Sequence, residues 1–477
     1  MGLGWPPPRL GASVGGMRSP RPCRPGPSLP WAAAGVALWT LCLASSATAT
    51  STELQIAYQR FRLDNGLTVI LHEDHTTPEV AVNLWFHVGS KDEAPHRTGF
   101  AHLFEHLMFM GTTRVPDGEF DRIMEALGGQ NNASTDEDRT NYYESGPAPL
   151  LPTLLWLEAD RLTSLADAMT EKKLNLQRDV VKNERRQSYE NRPYGGVELA
   201  LVDRLWPTGH PYHHPVIGSH ADLTAATVKE VQTFFRTYYV PSNATLVVAG
   251  DIDPKTARAE VERYFAWIPP RPPPLHLTPP PARLAQPATV RLQDRVQVAQ
   301  VTLAWHAPAL RRRGAAEATV LAAVLGGGRS SRLQRRLVYD TKLASEINVK
   351  HDTHEHDGIL EITANVGEGH TAAELERAIR NELGLLALGE MPSEREVERA
   401  RAFVERTTLE ALDGLNARAD ALNEYESMFG DPGLLRRDHL AQFVRVSPSD
   451  VRWIARLIFA EPDVAVIVTP RSATRAH

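Results

Sequence analysis

The 477-residue sequence has almost no cysteine, and its two cysteines, Cys23 and Cys42, both lie within the first 49 residues. The remainder therefore has neither a thiol nor a disulfide, which is feasible for a chain long enough to bury a full-sized core. An excess of basic charge is also lacking, since 52 Lys and Arg stand against 58 Asp and Glu. That balance argues against a nucleic-acid binder.

The first 49 residues are predicted to be a signal peptide. They contain four arginines, no acidic residue and a short apolar stretch from Trp31 to Leu43, and Ala47-Thr48-Ala49 fits the A-x-A pattern cut by signal peptidase. The apolar stretch is shorter than the roughly 20 residues of a membrane span, so cleavage is favoured over the alternative, an uncleaved anchor. Met17 is an alternative start.

Export is the consequence that we expect from this segment. The mature protein would be periplasmic or secreted, with no stable membrane insertion after cleavage. Its formal net charge would change from −6 to −10, because four arginines leave with the segment and no acidic residue does.

A proline-rich segment divides the rest of the chain. Pro269–Pro287 reads PPRPPPLHLTPPPARLAQP, which cannot hold a helix and predicts an extended linker. The predicted N-terminal domain is then 52–268, and the predicted C-terminal domain is 288–472. Each ends with a helical pattern followed by an apolar strand, at 227–251 and 448–470. This weak similarity predicts a duplicated unit.

Both halves mix strand and helix patterns. A hairpin is predicted at 61–71 across Asp64-Asn65-Gly66, and further strands at 80–88 and 298–305. Long helical patterns cover 150–166, 174–189, 372–388 and 393–428. Because strands precede helices within each half, an α+β fold is favoured over a doubly wound sheet.

A metal-binding pattern lies in GFAHLFEHLMFMGT, residues 99–112. His102 and His106 are four residues apart, so on a helix both imidazoles project from one face and their nitrogens can meet one zinc ion. Glu105 lies beside them, where a carboxylate can accept a proton without being a ligand. This H-x-x-E-H pattern is an inverzincin signature. The alternative is a helix with ordinary surface histidines.

A third ligand is expected on an apolar helix face. In LNLQRDVVKNERRQSYE, one helical stripe contains Leu174, Gln177, Val181 and Glu184. An acid on such a stripe is unfavourable without a partner, and a metal ion would supply one. A solvated Glu at the edge of the stripe is the alternative.

Together these motifs resemble the pitrilysin, or insulinase-type, zinc metallopeptidases, which include mitochondrial processing peptidase. That family has H-x-x-E-H followed some 75 residues later by a Glu ligand, and Glu184 stands at this distance from His106. The resemblance covers nearly all of the chain after the signal peptide. Further segments that carry it are GGQNNASTDEDRTNYYE (128–144), LWPTGHPYHHPVIGS, YYVPSNATLVVAGDID and LGGGRSSRL (325–333).

The resemblance implies a fold and a site. It implies two homologous α/β-roll halves, each an antiparallel sheet with helices packed on one side, closing like a clam shell around a peptide substrate. His102, His106 and Glu184 would bind one Zn²⁺ per chain, and Glu105 would act as general base. Asn132 and Ala133 would lie on a sheet edge that pairs with an extended peptide.

The sequence departs from this family in two places. Gln177 stands where many members have a second Glu that supports catalysis. In the C-terminal half, Val338 and Ser345 stand where the family has an Arg and a Tyr that hold substrate.

Because His102, Glu105, His106 and Glu184 are all present, the chain is predicted to be a zinc endopeptidase for short or unfolded peptides. The alternative is a non-catalytic or partner-dependent subunit, for example in a hetero- or homodimer with a member that carries the Arg/Tyr pair.

Other histidine clusters are not predicted to be functional sites. His351, His354 and His356 lie in HDTHEHDG, where a second functional metal is disfavoured. The histidines of GHPYHHP are expected to be structural, and Gly326–Gly328 lacks the Lys and Ser/Thr of a phosphate loop.

Overall fold

In the computed structural model of the protein, the described residues are Leu54, 56–276 and 278–471. The predicted signal peptide and both cysteines lie outside them. The described residues belong to one compact unit. Within this part of the chain, no helix has the length and apolar character needed to cross a membrane.

The N-terminal half is built on a six-stranded sheet with the order β1-β2-β6-β3-β5-β4. Its strands are β1 (Gln59–Arg62), β2 (Thr68–Glu73), β3 (Glu79–Phe86), β4 (Gln130–Thr135), β5 (Thr140–Pro147) and β6 (Ala244–Gly250). Its helices are α1 (Phe100–Leu107), α2 (Glu119–Ala126), α3 (Leu151–Ala168), α4 (Glu171–Arg185), α5 (Gly196–Leu205), α6 (His220–Ala225), α7 (Val228–Tyr238) and α8 (Pro254–Phe265).

The C-terminal half repeats this plan with a five-stranded sheet of order β7-β11-β8-β10-β9. Its strands are β7 (Ala288–Asp294), β8 (Gln300–Ala307), β9 (Ala344–Thr353), β10 (Gly358–Val366) and β11 (Val464–Pro470). Its helices are α9 (Ala315–Gly326), α10 (Ala372–Gly384), α11 (Glu394–Ala411), α12 (Leu415–Phe429), α13 (Gly433–Asp438), α14 (Ala441–Val444) and α15 (Pro448–Phe459).

Five strands of each sheet correspond in order, and β1 has no counterpart among the described strands of the C-terminal half. In each half the last strand, β6 or β11, lies inside the sheet and pairs with one parallel and one antiparallel neighbour. The other pairings are antiparallel, including the predicted hairpin of β1 and β2, in which Gln59 faces Leu71. The α+β prediction with two similar halves is confirmed.

Each half also places one helix on the sheet of the other half. In β2 and β6, Val69 and Val248 face the N-terminal core, whereas Ile70 and Val247 face the opposite side and belong to a buried cluster that includes Leu422 of α12. Reciprocally, α5 of the N-terminal half packs on β11 of the C-terminal half. The β11 residues in this cluster are every second residue along the strand, Val464, Val466 and Val468. Because successive strand residues point to opposite faces, both faces of each sheet are covered.

One predicted helix is wrong in its extent. The pattern at 393–428 predicted a single helix, but the chain breaks between α11 and α12 at Leu412–Gly414. Gly414 disfavours helix, and Arg418 donates to the carbonyl oxygen of Asp413 at the break. The break lets α12 turn onto the N-terminal sheet. Residues 269–276 and 278–287 form neither helix nor strand, and the domain boundaries themselves stay a prediction.

Candidate metal centre

Helix α1, which carries the two predicted histidine ligands, begins at a constrained glycine. Gly99 has φ of 90°, and a Cβ there would lie 2.8 Å from the carbonyl oxygen of Ile217, so a side chain is disfavoured. The buried carboxylate of Glu93 accepts hydrogen bonds from the backbone N–H groups of Gly99 at 2.8 Å and Ala101 at 2.7 Å. These bonds satisfy donors that the first helical turn cannot.

The sequence of α1 divides its surface into an apolar face and a polar face. Its core-facing side chains are all buried and lie at Phe100, Ala101, Leu103, Phe104 and Leu107. With about 3.6 residues per turn, His102, Glu105 and His106 must then lie toward the other side. The rings of His102 and His106 have centroids 4.8 Å apart.

Helix α4 brings the third predicted ligand to α1. Leu174 and Val181 on α4 are fully buried in the N-terminal core, and they orient the stripe that ends at Glu184. One carboxylate oxygen of Glu184 lies 3.7 Å from Nε2 of His102, and the other lies 3.3 Å from Nε2 of His106. The three side chains that the sequence analysis names as ligands therefore lie close together.

The three side chains form a geometry that suits zinc. One ligand atom from each lies within 4.8 Å of the others. Two nitrogen ligands of a tetrahedral zinc, at about 2.05 Å from the metal, lie about 3.3 Å apart, so these ligand atoms would have to approach one another by at most about 1.5 Å to bind one ion. A set of two imidazoles and one carboxylate with an open position is typical of catalytic zinc.

The protonation states of the ligands also suit a cation. Burial lowers the pKa of His102 to about 4, so its imidazole is neutral at pH 7. A hydrogen bond with His106 lowers the pKa of Glu184, which keeps the carboxylate charged. Neutral imidazole and ionised carboxylate are the forms that bind a metal. The Nδ1 atom of His102 is buried without a hydrogen-bond partner among the described residues.

Glu105, the predicted base, is held by a residue that the sequence analysis did not single out. The Thr135 hydroxyl donates a hydrogen bond of 2.6 Å to Oε2 of Glu105. Burial raises the pKa of Glu105, and this hydrogen bond opposes the rise. Strand alternation puts Thr135 on the same face of β4 as buried Ala133, but it does not indicate that Glu105 is its partner.

The predicted substrate-binding residues lie on an exposed edge. Asn132 and Ala133 belong to β4, which pairs with β5 on one side and with no other described strand. The Oδ1 atom of Asn132 accepts from the backbone N–H of Ala133 at 2.8 Å. Gln177, the supporting position, lies on α4 two turns before Glu184, and its amide nitrogen donates to the sulfur of Met110.

The C-terminal half places no polar pair where the family has Arg and Tyr. Val338 packs against the C-terminal core, and the Ser345 hydroxyl donates to the carbonyl oxygen of Asn365 at 3.5 Å. The HDTHEHDG segment forms the end of β9 and its turn into β10. Its His351 contacts the Thr319 hydroxyl and the carbonyl oxygen of Pro308 rather than other histidines.

A cavity of about 760 Å³ lies between the two halves. Its wall includes the β4–β5 turn and the segment after α4 from the N-terminal half, and β9, β10 and α12 from the C-terminal half. Acidic side chains outnumber basic ones along this wall, and they include Asp136, Glu137, Glu198, Glu361, Asp420 and Glu424.

Two family models match the chain. Residues 68–209 match "Insulinase (Peptidase family M16)", and residues 225–404 match "Peptidase M16 inactive domain". The first match contains the whole ligand group, and the second covers most of the half without it.

Individual relatives span most of the chain. It is 28% identical over 412 residues to the zinc protease PqqE of Helicobacter pylori, which covers 85% of this chain and 90% of that protein. It is 23% identical over 418 residues to a probable mitochondrial-processing peptidase subunit beta of Arabidopsis thaliana, covering 85% of this chain and 76% of the relative.

Solved structures show the same architecture. The crystal structure of a protease from Helicobacter pylori has a TM-score of 0.80 and 27% identity to this chain, and the match covers 87% of this chain and all of that one. Both family models, the relatives and this structure point to one family. The chain belongs to the insulinase-type, or M16, family of peptidases.

Proposed function

We propose that this chain is an exported zinc metalloendopeptidase that hydrolyses short or unfolded peptides. The observation that carries the proposal is the convergence of His102, His106 and Glu184 within 4.8 Å, next to Glu105, a partly buried glutamate that is not part of the group. Relatives named zinc proteases support the metal and the reaction class.

Each side chain has a distinct task in this proposal. His102, His106 and Glu184 bind one zinc ion per chain, which supplies an activated water for attack on a peptide carbonyl. Glu105 accepts the proton of the nucleophile. Because Oε2 of Glu105 already accepts from Thr135, Oε1 is the atom that takes this proton.

The substrate class follows from the edge strand. The free edge of β4 offers backbone N–H and C=O groups that an extended peptide can pair with as an added strand. A folded protein rarely offers such a free strand. The cavity between the halves limits the size of the substrate, which also favours a short or unfolded peptide. Export rests on the signal-peptide pattern in residues 1–49.

The test combines metal analysis with peptide cleavage. The purified chain without residues 1–49 should contain about one zinc per chain and cleave members of a random peptide library. Glu105→Gln should keep the zinc and lower the peptidase activity about 10²–10⁴-fold, because an amide cannot accept the proton. Near-normal cleavage by Glu105→Gln, or no zinc after careful loading, would contradict the proposal.

A second candidate function is that of a zinc-bearing subunit that needs another chain. It is favoured by the C-terminal half, where Val338 lies against the core and Ser345 bonds to its own sheet. A second chain with an Arg/Tyr-bearing half would then supply the missing donors, which typically contribute about 10²–10³ in rate. Full specific activity from the chain alone would remove this candidate.

A further inference from the structure

The HDTHEHDG segment makes short polar contacts between the two halves beside the cavity. Its tip, His354–Asp357, lies between β9 and β10 and reaches the N-terminal half. The Glu355 carboxylate accepts from Nζ of Lys91 at 2.5 Å and lies 2.8 Å from Nε2 of His87. The backbone N–H of Glu355 donates to Oδ2 of Asp138 at 2.8 Å.

These contacts form a closed and largely buried cluster. Lys91 also donates to Oδ1 of Asp138 at 3.1 Å, and the side chains of Lys91 and Asp138 are only 3% and 7% exposed. The Tyr212 hydroxyl donates to the same Asp138 oxygen at 2.6 Å and accepts from the backbone N–H of His356 at 3.3 Å. Each buried charge thus has a partner of opposite sign, as burial requires.

The cluster contacts the turn that follows β4, the strand proposed to pair with substrate. Asp136–Arg139 joins β4 to β5, and Asp138 in this turn is held by Lys91, Tyr212 and the tip. The backbone N–H groups of Ser90 and Lys91 donate to the carbonyl oxygens of Asp136 at 3.1 Å and Glu137 at 3.0 Å.

Thr135 connects this turn to the reaction. It is the last residue of β4, directly before the turn, and its hydroxyl holds Glu105. An edge strand that pairs on one side only frays more easily than an inner strand, so anchoring its end restricts both the strand and Thr135.

We propose that Glu355, with Lys91 and Asp138, is a positioning cluster by which the C-terminal half orders β4 for substrate pairing and sets Thr135 against Glu105. The effect on catalysis rests on the proposed peptidase function, whereas the ordering of β4 does not. The half without a metal motif would thus act on the reaction through a contact, not through a substrate-binding side chain.

The first test is hydrogen exchange with a matched control. Glu355→Gln removes the charge at the tip, and Glu426→Gln removes the charge of another ion pair between the halves. In that pair, Arg60 donates to Glu426 at 2.8 and 2.6 Å, and Arg60 lies on β1 at the opposite edge of the sheet.

In Glu355→Gln, the amides of Gln130–Thr135 that bond to β5 should exchange about tenfold faster than in the wild type. In Glu426→Gln they should be unchanged unless the whole protein is destabilised. Equal exchange of β4 in the two variants would overturn the proposal. If Glu355→Gln does not fold, Tyr212→Phe removes one hydroxyl from the same cluster without changing a charge, with the same expected direction.

The second test asks whether the cluster acts through Thr135. We expect Glu355→Gln to lower kcat about fivefold, Thr135→Val about tenfold and the double variant also about tenfold, with zinc content unchanged. Thr135→Ser should restore kcat, since it keeps the hydroxyl. A multiplicative effect in the double variant would overturn the link to Thr135. If the zinc-loaded wild type cleaves no peptide, the proposed function fails, and hydrogen exchange still decides the ordering of β4.

Discussion

The two halves share one topology but differ at one pair of helices. In the N-terminal half, α1 packs against α4, and His102, Glu105 and Glu184 lie at their junction. In the C-terminal half, α9 occupies the place of α1 and packs against α11. The α9 sequence AAEATVLAAVLG is buried along nearly its whole length, and α11 meets it through Val397, Ala400 and Val404.

This difference shows how one fold supports a site in one copy and a core in the other. Apolar residues at the second helix pair pack together as part of the C-terminal core. Polar residues at the first pair keep it open, because burying them without a partner is unfavourable. The C-terminal half instead contributes the inter-half contacts of Glu355 and α12.

The largest expected effect is a difference in zinc binding between a histidine of the N-terminal half and one of the C-terminal half. His106→Ala should remove most of the bound zinc and with it all measurable peptide cleavage, because a zinc site with two protein ligands binds weakly. His351→Ala, in the C-terminal half, should leave zinc content unchanged, since His351 bonds to Thr319 and Pro308. Zinc analysis of both variants checks this, and a loss of zinc in His351→Ala would contradict the assignment.

A smaller effect is expected from the buried charges of the two halves. Arg161 is about 1% exposed and donates to Glu144 at 2.6 Å and Glu158 at 3.0 Å beneath β5. Arg161→Met leaves two buried acids without a cation and should lower the free energy of unfolding by about 3–5 kcal/mol.

The matched change in the C-terminal half is Arg332→Met. Arg332 pairs with Glu396 at 2.6 Å, and the Glu396 side chain is 22% exposed, so water can compensate its charge. We expect a loss of about 1 kcal/mol. Urea unfolding measures both variants, and equal losses would show that burial does not distinguish these ion pairs.

The smallest effect concerns acid pH in the C-terminal half. Although burial opposes the charge, hydrogen bonds from Arg332 and Ser393 lower the pKa of Glu396 to about 2. A carboxylate with a lowered pKa stabilises the fold fully above its unfolded pKa of about 4.5, and this contribution is lost as pH falls toward 2. Glu396→Gln should therefore remove about 1 kcal/mol at pH 7, and less at pH 3. Unfolding at both pH values checks this, and an equal loss at each would contradict it.

Much of the candidate site was predictable because it depends on local spacing. Residues four apart on a helix share a face in any fold, so the pairing of His102 and His106 follows from the sequence. Glu184 required the added argument that an acid on the Leu174–Val181 stripe needs a partner. Thr135 was missed, because a threonine in a strand is common and its contact with Glu105 joins residues 30 positions apart.

The extent of α11 and the role of HDTHEHDG could not be predicted for a related reason. The helical pattern at 393–428 continues across Gly414, and the break there matters only because α12 must reach the N-terminal sheet. The histidines and acids of HDTHEHDG suggested metal chemistry or nothing. Within this segment, Glu355 has the partners Lys91 and Asp138, which are more than 200 residues away.

By itself, the sequence determined the α+β composition, the duplication and the spacing of the candidate ligands, because these depend on periodicities of two and 3.6 residues and on short-range sterics. Only the tertiary structure decided that α5 and α12 cover the sheets of opposite halves. It also decided that Glu355 bonds to the β4–β5 turn and that Thr135 donates a hydrogen bond to Glu105. These contacts join distant parts of the chain, and their free energy comes from burial and from pairing charges away from water, which local sequence does not encode.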